Sequence, residues 1–295
     1  MKSFFRNIVA GLLAILARAI VHKYKPKVVM ITGSVGKTST KDAVASMLGA
    51  SYNVRASEKS YNSEFGVPLT IIGAGNPWYD VFAWLLVIEE ALVLIFTKAH
   101  YPELLVLEVG ADRPNDLKQI LKIATPDAVV VTRLPDIPVH VEAYASAEAV
   151  REEEFAPAYA LSGNSPLIIC ADDKHAKRRA LGVSAPVCSF GFAKDATVSL
   201  ADVAVVYADK QPTGMSVEAC LQGVCHTLTV TGALGKSQIF APAAALALSH
   251  ALGLTLDKSL KGLGEYVPPA GRGRILAGVN NSLLIDDTYH ASPAA

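Results

Sequence analysis

The sequence predicts an α/β fold: a P-loop-containing, mostly parallel sheet with helices on both faces, followed by a β-rich portion after about residue 184. Short apolar runs at 28–32, 104–109 and 167–170 alternate with stretches of helical periodicity. Such near-continuous apolar strands belong to parallel sheets that are buried on both faces. Beyond residue 184, strands follow one another through turns, and little helix is expected.

The predicted elements follow one another in a regular order. In the α/β part we expect strands at 28–32, 104–109, 126–132 and 167–170, and helices at 41–49, 115–123 and 148–161. In the β-rich part we expect strands at 198–207, 215–221 and 227–230, a helix at 241–252, a loop at 266–274 and a final strand at 282–285.

Composition excludes several classes of protein. The 295 residues are 51% hydrophobic and 18% charged, which provides ample apolar surface for a core and excludes disorder. Lys and Arg total 27, as do Asp and Glu, so the net charge gives no support for a nucleic-acid partner. The four cysteines form no CxxC pair, and we expect reduced, buried thiols of a cytosolic protein at Cys170, Cys188, Cys220 and Cys225.

Two apolar stretches bear on the membrane. The run 8–17 is flanked by basic residues and ends at Arg18, short of the roughly 20 residues that a spanning helix needs. The run 81–96 is interrupted by Glu89 and Glu90. We expect docked amphipathic helices and a cytoplasmic protein. The alternative is peripheral contact of the N-terminal helix with the inner membrane face.

The strongest local motif is TGSVGKTS at 32–39, between a predicted strand and a predicted helix. Glycines let the backbone N–H groups turn toward phosphate oxygens, and the helix N-terminus adds partial positive charge. Lys37 would reach the β- and γ-phosphates, and Thr38 would bind Mg²⁺. The motif is two residues shorter than GxxxxGK[ST], and the alternative is a glycine-rich turn without a ligand. The predicted nucleotide-binding residues here are Gly33, Ser34, Val35, Gly36, Lys37, Thr38 and Ser39.

This motif, together with YNSEFGVPLT at 61–70, resembles the Mur ligase family, and the resemblance extends from about Lys27 to Pro293. It implies ATP and Mg²⁺ as cofactors and places Asn62 and Ser63 at the substrate. The segment LVLEVGAD at 105–112 resembles the family motif whose glutamate binds Mg²⁺, which implies that role for Glu108. The alternative for Glu108 is a salt bridge at the end of a strand.

A second metal site is implied further along. His140, in HVEAYASAE at 140–148, matches the family's histidine ligand, whereas a histidine alone in a loop would be an ordinary surface residue. The family's carbamylated lysine falls at Glu154, the last residue of an acidic triplet. A glutamate can replace the charge of the carbamate but not its reach. The alternative is that the triplet is a solvated helix face.

The family's adenine segment is altered here to GKSQIFA at 235–241. Gln238 can still bind a base edge, whereas Ala241 cannot, so the nucleotide preference stays open. GRGR at 271–274 and DDTYHASP at 286–293 resemble later family motifs, which imply Arg272 facing the phosphates and Asp287 near the ribose or the linker. His290 and Ser292 stand where the family has Asn.

The resemblance implies three regions: an N-terminal amphipathic helix at 1–26, the central ATP-binding domain at 27–267, and a closing strand and linker at 268–295 that would lead to a C-terminal domain. Either the chain is a fragment or it works with a separate C-terminal domain or subunit; the sequence favours the fragment.

The implied reaction is ATP-dependent amide ligation in peptidoglycan precursor synthesis. A muramoyl-peptide carboxylate becomes an acyl phosphate, which an amino acid or D-alanyl-D-alanine then attacks. The implied catalytic residues are Lys37, Glu108, His140, Glu154 and Arg272. Two alternatives remain open: a related folylpolyglutamate synthetase or lipid II amidating ligase, and a non-catalytic nucleotide-binding module.

Overall fold

The computed structural model describes residues 2–58 and 60–289. Nine strands form one sheet in the order β2-β3-β1-β4-β5-β6-β7-β8-β9, and two further strands, β10 and β11, form a separate antiparallel pair. The sheet strands are β1 (Lys27–Thr32), β2 (Val54–Ala56), β3 (Leu104–Glu108), β4 (Ala128–Val131), β5 (Leu167–Cys170), β6 (Val187–Gly191), β7 (Val198–Ala208), β8 (Gln211–Leu221) and β9 (Val224–Thr231). The separate pair is β10 (Arg274–Ala277) and β11 (Leu283–Asp286). The predicted fold class is confirmed.

Helices cover both faces of the sheet. One layer packs on the face that carries Val28 and Met30, and the other packs on the face that carries Val29 and Ile31, because successive side chains of a strand point to opposite faces. The first layer contains α1 (Lys2–Tyr24), α3 (Gly66–Ile72), α4 (Val81–Phe96), α5 (Asp116–Leu121), α6 (Ala147–Tyr159) and α7 (Lys174–Ala180). The second contains α2 (Lys37–Gly49), α8 (Phe240–Ala251) and α9 (Leu256–Gly264).

Strand order places a ligand-binding crevice beside β1. This strand pairs in parallel with β3 on one side and with β4 on the other. Strands β2 and β3 lie on one side of β1, and β4 and the strands after it lie on the other side. The carboxyl ends of β1 and β4 therefore border a topological switch point. Open α/β sheets bind their ligands at such points. The glycine-rich turn at 33–36 follows β1 there.

The β-rich portion extends the same sheet. Strand β7 pairs in parallel with β6, and β7, β8 and β9 then form an antiparallel meander. Cys220 and Cys225 lie directly opposite each other in β8 and β9 and are joined by a disulfide. The expectation of four reduced thiols is therefore wrong for this pair, since a tight hairpin brings their Cα atoms to 4.0 Å. Cys170 is buried and free.

The N-terminal helix α1 docks on the molecule. Its residues Leu13, Ala17 and Ile20 are buried in the core that α3 and α4 share. Near its end, the Tyr24 hydroxyl donates to the carbonyl of Leu94 in α4 at 2.8 Å, so the two helices end side by side. Among residues 2–58 and 60–289, no helix combines the length and apolarity needed to cross a bilayer.

Several element boundaries differ from the predictions. Helix α2 begins at Lys37 instead of residue 41, because the turn at Gly36 leads directly into it. Strands β2 and β6 were not predicted, nor was β10, which lies partly in the predicted loop at 266–274. The predicted positions His290 and Ser292 lie outside the described residues.

Because α1 packs on the molecule through one face, two Ile→Ala substitutions in this helix should lower the free energy of unfolding by different amounts. Ile20→Ala removes a fully buried side chain and should lower the free energy of unfolding by about 3 kcal/mol. Ile15→Ala shortens a side chain of the same helix, and that side chain is 68% exposed. This substitution should change the free energy of unfolding by less than about 0.5 kcal/mol. Urea unfolding of both variants measures the difference. Equal costs would show that α1 does not pack as described.

Candidate functional site

Most of the predicted site residues line one cavity at the carboxyl ends of β1, β3 and β4. Residues from distant parts of the chain meet there: Arg272 lies in the loop before β10, Asp287 follows β11, and the Arg272 guanidinium donates to Thr38 of α2. The predicted residues that line it are Ser34, Val35, Gly36, Lys37, Ser39, Asn62, Glu108, His140, Gln238, Arg272 and Asp287. Ser63 is not among them: its hydroxyl accepts from the Gly66 backbone at the start of α3.

The turn after β1 has a conformation that requires glycine. Gly33 and Gly36 have φ of 118° and 88°, in the left-handed region. A Cβ on Gly33 would lie 2.4 Å from the Thr132 hydroxyl oxygen, so β4 also excludes a side chain there. The Lys37 ammonium donates to the Gly33 carbonyl at 2.7 Å. The lysine therefore lies over the turn, at the positively polarised N-terminus of α2, an arrangement that suits phosphate.

Thr38 joins the turn to the C-terminal part of the chain. Its hydroxyl oxygen accepts from the Arg272 guanidinium at 2.9 Å and lies 3.1 Å from the Ser60 hydroxyl. The Arg272 guanidinium also lies over the Tyr289 ring, 4.6 Å from its centroid. Arg272 and Lys37 thus bring two positive charges to the same wall of the cavity.

Glu108, at the end of β3, is almost fully buried in this positive surrounding. Its Oε1 lies 3.4 Å from the Asn62 side-chain nitrogen, and its Oε2 is buried without a hydrogen-bond partner among the described residues. Burial raises the pKa of Glu108, while the charges of Lys37 and Lys41 and the neighbouring Thr38 hydroxyl oppose that rise. A carboxylate oxygen left unpaired beside a threonine hydroxyl fits an oxygen-ligated divalent cation such as Mg²⁺.

His140 stands at the rim of the cavity. Its φ is 63°, its side chain is 41% exposed, and its Nε2 lies 3.5 Å from an Asp112 carboxylate oxygen. Within the described part of the chain, only one group of three His, Cys, Asp or Glu residues has its potential metal-ligand atoms within 4.8 Å of one another. This group is Glu218 with Cys220 and Cys225, the two cysteines of the disulfide. The structure therefore does not bring His140, Glu108 and Glu154 into one tight ligand cluster.

Glu154 lies beneath the glycine-rich turn and does not line the cavity. Its carboxylate accepts from the Ser34 hydroxyl at 2.6 Å, and its backbone carbonyl accepts from the Thr32 hydroxyl at 2.6 Å. Burial raises the pKa of Glu154 to about 7, against the charge of Lys37 and the hydrogen bond from Ser34. The alternative of a solvated triplet is wrong for Glu154, since α6 turns this side chain into the core.

The other two acidic residues of the triplet have separate roles. Glu153 accepts from the backbone N–H of Leu117, at the start of α5. Glu152 is exposed and pairs with Arg179 at 3.3 Å. Of the three acidic residues, only Glu152 therefore lies on a solvent-exposed face of the helix.

The far end of the cavity lies near Gln238. Its side-chain nitrogen donates to the Arg272 carbonyl at 2.9 Å, and its Oε1 is buried without a partner among the described residues. The Phe190 and Phe240 rings line the cavity beside it. Asp287 accepts from the Gly273 backbone at 3.1 Å, which fixes the loop that carries Arg272.

Sequence reasoning missed several residues of the site. Lys41 does not line the cavity, but its charge lowers the pKa of Glu108. It is buried one turn after Lys37 on α2, and its ammonium donates to the Ser57 carbonyl at 2.6 Å. Its spacing of four from Lys37 was a usable signal, since both lie on one face of a helix. Ser60, Phe190 and Phe240 carried no comparable signal, because only the tertiary fold brings them to the cavity.

A glycine turn over a helix N-terminus, a lysine above it and a buried carboxylate on the adjacent strand define a P-loop nucleotide-binding domain. The Mur ligase middle domain model matches residues 31–84 and 88–248. The chain belongs to the Mur ligase family.

Two curated relatives with the same name are similar to this chain. The chain is 24% identical over 280 residues to the UDP-N-acetylmuramoyl-tripeptide–D-alanyl-D-alanine ligase of Bacillus subtilis, covering 95% of this chain and 53% of the relative. It is 26% identical over 279 residues to the Escherichia coli enzyme of that name, covering 94% and 55%. The chain spans about half the length of the curated relatives that it matches.

Two solved structures are similar to this chain in fold. The MurF ligase of Thermotoga maritima, in complex with ADP, is similar with a TM-score of 0.77 and 26% identity, over 97% of this chain and 58% of that one. A folylpolyglutamate synthase from Thermotoga maritima is similar with a TM-score of 0.59 and 18% identity, over 92% and 66%. The second similarity shows the fold alone.

The buried Glu154 predicts a pH-dependent stability of the protein without divalent ions. Its pKa is about 7 in the folded protein and near 4.5 ordinarily, so the folded state binds the proton more tightly. The contribution of Glu154 to the free energy of unfolding should then be highest below about pH 4.5 and should fall until about pH 7. Glu154→Gln stays neutral and should gain on the order of 3 kcal/mol over the wild type between pH 4.5 and pH 8.

Urea unfolding in EDTA across this pH range measures the effect. Glu152→Gln is the matched control, because its exposed carboxylate should give the wild-type pH profile. A Glu154→Gln profile parallel to that of the wild type would show that Glu154 is ionised in the folded protein at pH 5.

Proposed function

We propose that this chain is the ATP-binding core of an amide ligase of peptidoglycan precursor synthesis. One observation carries the proposal: Lys37, the buried Glu108 and Arg272, from three distant motifs, converge on one cavity of a Mur ligase middle domain. The names of the curated relatives support a UDP-N-acetylmuramoyl-tripeptide as the acceptor and D-alanyl-D-alanine as the amine.

In this proposal the chain's residues position a nucleotide and spread the charge that moves during phosphoryl transfer. The backbone N–H groups of the turn, Lys37 and Arg272 bind the phosphates. Fixed charges of this kind stabilise the transferring group more than covalent chemistry would. The substrate carboxylate enters near Asn62, and one of its oxygens attacks the γ-phosphorus. The bond between that phosphorus and the β-phosphate oxygen breaks, so the products are an acyl phosphate and ADP. The amine then displaces the phosphate.

Glu108 and Thr38 would hold the Mg²⁺, with His140 at the rim. Bound there, the ion would neutralise phosphate charge and orient the γ-phosphoryl group. We propose that Glu154 takes the place of the family's carbamylated lysine by supplying a carboxylate beneath the turn. Its hydrogen bond to Ser34 supports a role in fixing the turn. A metal-ligand role would need that bond to be exchanged for the ion.

We propose three regions along the chain. In our proposal residues 27–267 are the central domain, residues 268–295 lead toward an amine-presenting C-terminal domain or a separate subunit, and residues 1–26 carry α1. We also propose a location in the cytoplasm, with peripheral contact between α1 and the inner membrane face. That contact is supported by apolar side chains of α1 that stay exposed, such as Ile8 and Ile15.

Trapping with hydroxylamine tests the proposed chemistry. Hydroxylamine attacks an acyl phosphate directly, so the test does not require the domain that presents the amine. With ATP, Mg²⁺ and the muramoyl tripeptide, the protein should form a hydroxamate and release phosphate. Lys37→Ala should lower that rate by a factor on the order of 10² or more, since a cation beside the transferring phosphoryl group is lost.

The controls separate the alternatives. Lys258→Ala removes an exposed lysine of α9 that does not line the cavity, and should leave the rate unchanged. A hydroxamate formed from a folyl glutamate instead of the muramoyl tripeptide would favour the folylpolyglutamate synthetase alternative. ATP binding without a hydroxamate from either acceptor would indicate a non-catalytic nucleotide-binding module.

A further inference from the structure

Helix α1 has two apolar faces, and the core covers only one of them. Leu13, Leu16, Ala17 and Ile20 are buried against the molecule. Ile8, Leu12 and Ile15, spaced by four and three residues, form a second face, and they are 51%, 40% and 68% exposed. A helix held in place by its inner face therefore presents an outward apolar stripe.

The same outward face becomes basic toward the end of α1. Arg18 and His22 continue the spacing of three and four, and with Lys122 they line a groove between α1 and the segment after α5. In the part of the chain that the structure describes, none of these three has an ion pair or a side-chain hydrogen bond. Helix α1 itself contains no Asp or Glu.

Helix α4 lies beside α1 and adds to the apolar surface. The Arg6 guanidinium lies 5.6 Å from the Phe65 ring centroid, and that ring packs against Trp84 of α4, so the two helices also begin close together. The loop before α4 and its first two turns expose apolar and aromatic side chains, up to Glu89 and Glu90. These side chains are Trp78, Tyr79, Val81, Phe82, Leu85 and Leu86.

We propose that the outer face of α1, with its basic groove, binds the phosphate headgroups of an anionic lipid bilayer. The charge of the surface identifies the partner: unpaired cations lie at one end of an apolar stripe, with exposed Trp and Tyr beside it. Amphipathic helices lie at the interface with this pattern, and Trp and Tyr prefer headgroup depth. The inference deepens the proposed membrane contact and does not depend on ligase activity.

Flotation with lipid vesicles tests the inference on the full 295-residue chain. The protein should float with vesicles of phosphatidylcholine mixed with phosphatidylglycerol, should not float with phosphatidylcholine alone, and should be released by salt. The double variant R18A/K122A should lower the partition coefficient at least about tenfold, since each basic residue at the surface adds to binding. Ile15→Ser should lower it as well, since it removes exposed apolar area from the contact.

The matched control is K258A/K261A, which removes two lysines from α9 on the opposite helix layer and should bind vesicles within about twofold of the wild type. Equal binding by R18A/K122A and the wild type would overturn the inference, and so would equal flotation with phosphatidylcholine alone. Release by inorganic phosphate, but not by chloride at equal ionic strength, would assign the groove to a soluble phosphate ligand. Dimerisation without flotation would assign the apolar face to a second copy of the chain.

Calorimetric measurement of ATP binding by the same variants distinguishes a failure of membrane binding by α1 from a failure of nucleotide binding in the cavity. It should be unchanged in R18A/K122A, because the groove lies outside the nucleotide cavity. Loss of ATP binding in that variant would mean that its failure to float reflects misfolding, and Ile15→Ser, with ATP binding intact, would then decide the inference.

Discussion

Two hydrogen bonds to Glu154 hold the glycine-rich turn in place, and the positions of the other site residues depend on that turn. Thr32 at the end of β1 and Ser34 in the turn both donate to this one residue of α6. A carboxylate removed from water is costly unless it is hydrogen-bonded, and a single hydroxyl compensates only in part. The raised pKa of Glu154 is the measure of that remaining cost.

The position of the turn then sets the positions of the charged groups around it. Helix α2 starts at Lys37, so its N-terminus and the Lys37 ammonium lie above the turn, and Arg272 reaches Thr38 from a loop that Asp287 fixes. Glu108 faces these cations from the end of β3 with one carboxylate oxygen unpaired among the described residues. Both signs of charge are thus placed for a polyphosphate and a divalent cation.

The sequence was sufficient for the fold class because the buried strands are short, continuous apolar runs that periodicity detects. The sequence was insufficient for features that depend on contacts between distant parts of the chain. Strand β2 has only three residues, and the disulfide between Cys220 and Cys225 depends on the register of a hairpin. The burial of Glu154 cannot be derived from an acidic triplet, since its neighbours Glu152 and Glu153 have different surroundings. Ser63, next to Asn62, turns toward α3 instead of the cavity.

We propose that Glu108 and Thr38 form the cation-binding side of a nucleotide site. Calorimetric titration with ATP, in Mg²⁺ and in EDTA, tests it most directly. In the wild type Mg²⁺ should strengthen ATP binding. In Glu108→Gln the strengthening should fall at least about tenfold, since the variant keeps the shape and removes the charged ligand, while the affinity in EDTA should not decrease. An equal effect of Mg²⁺ on both proteins would contradict the account.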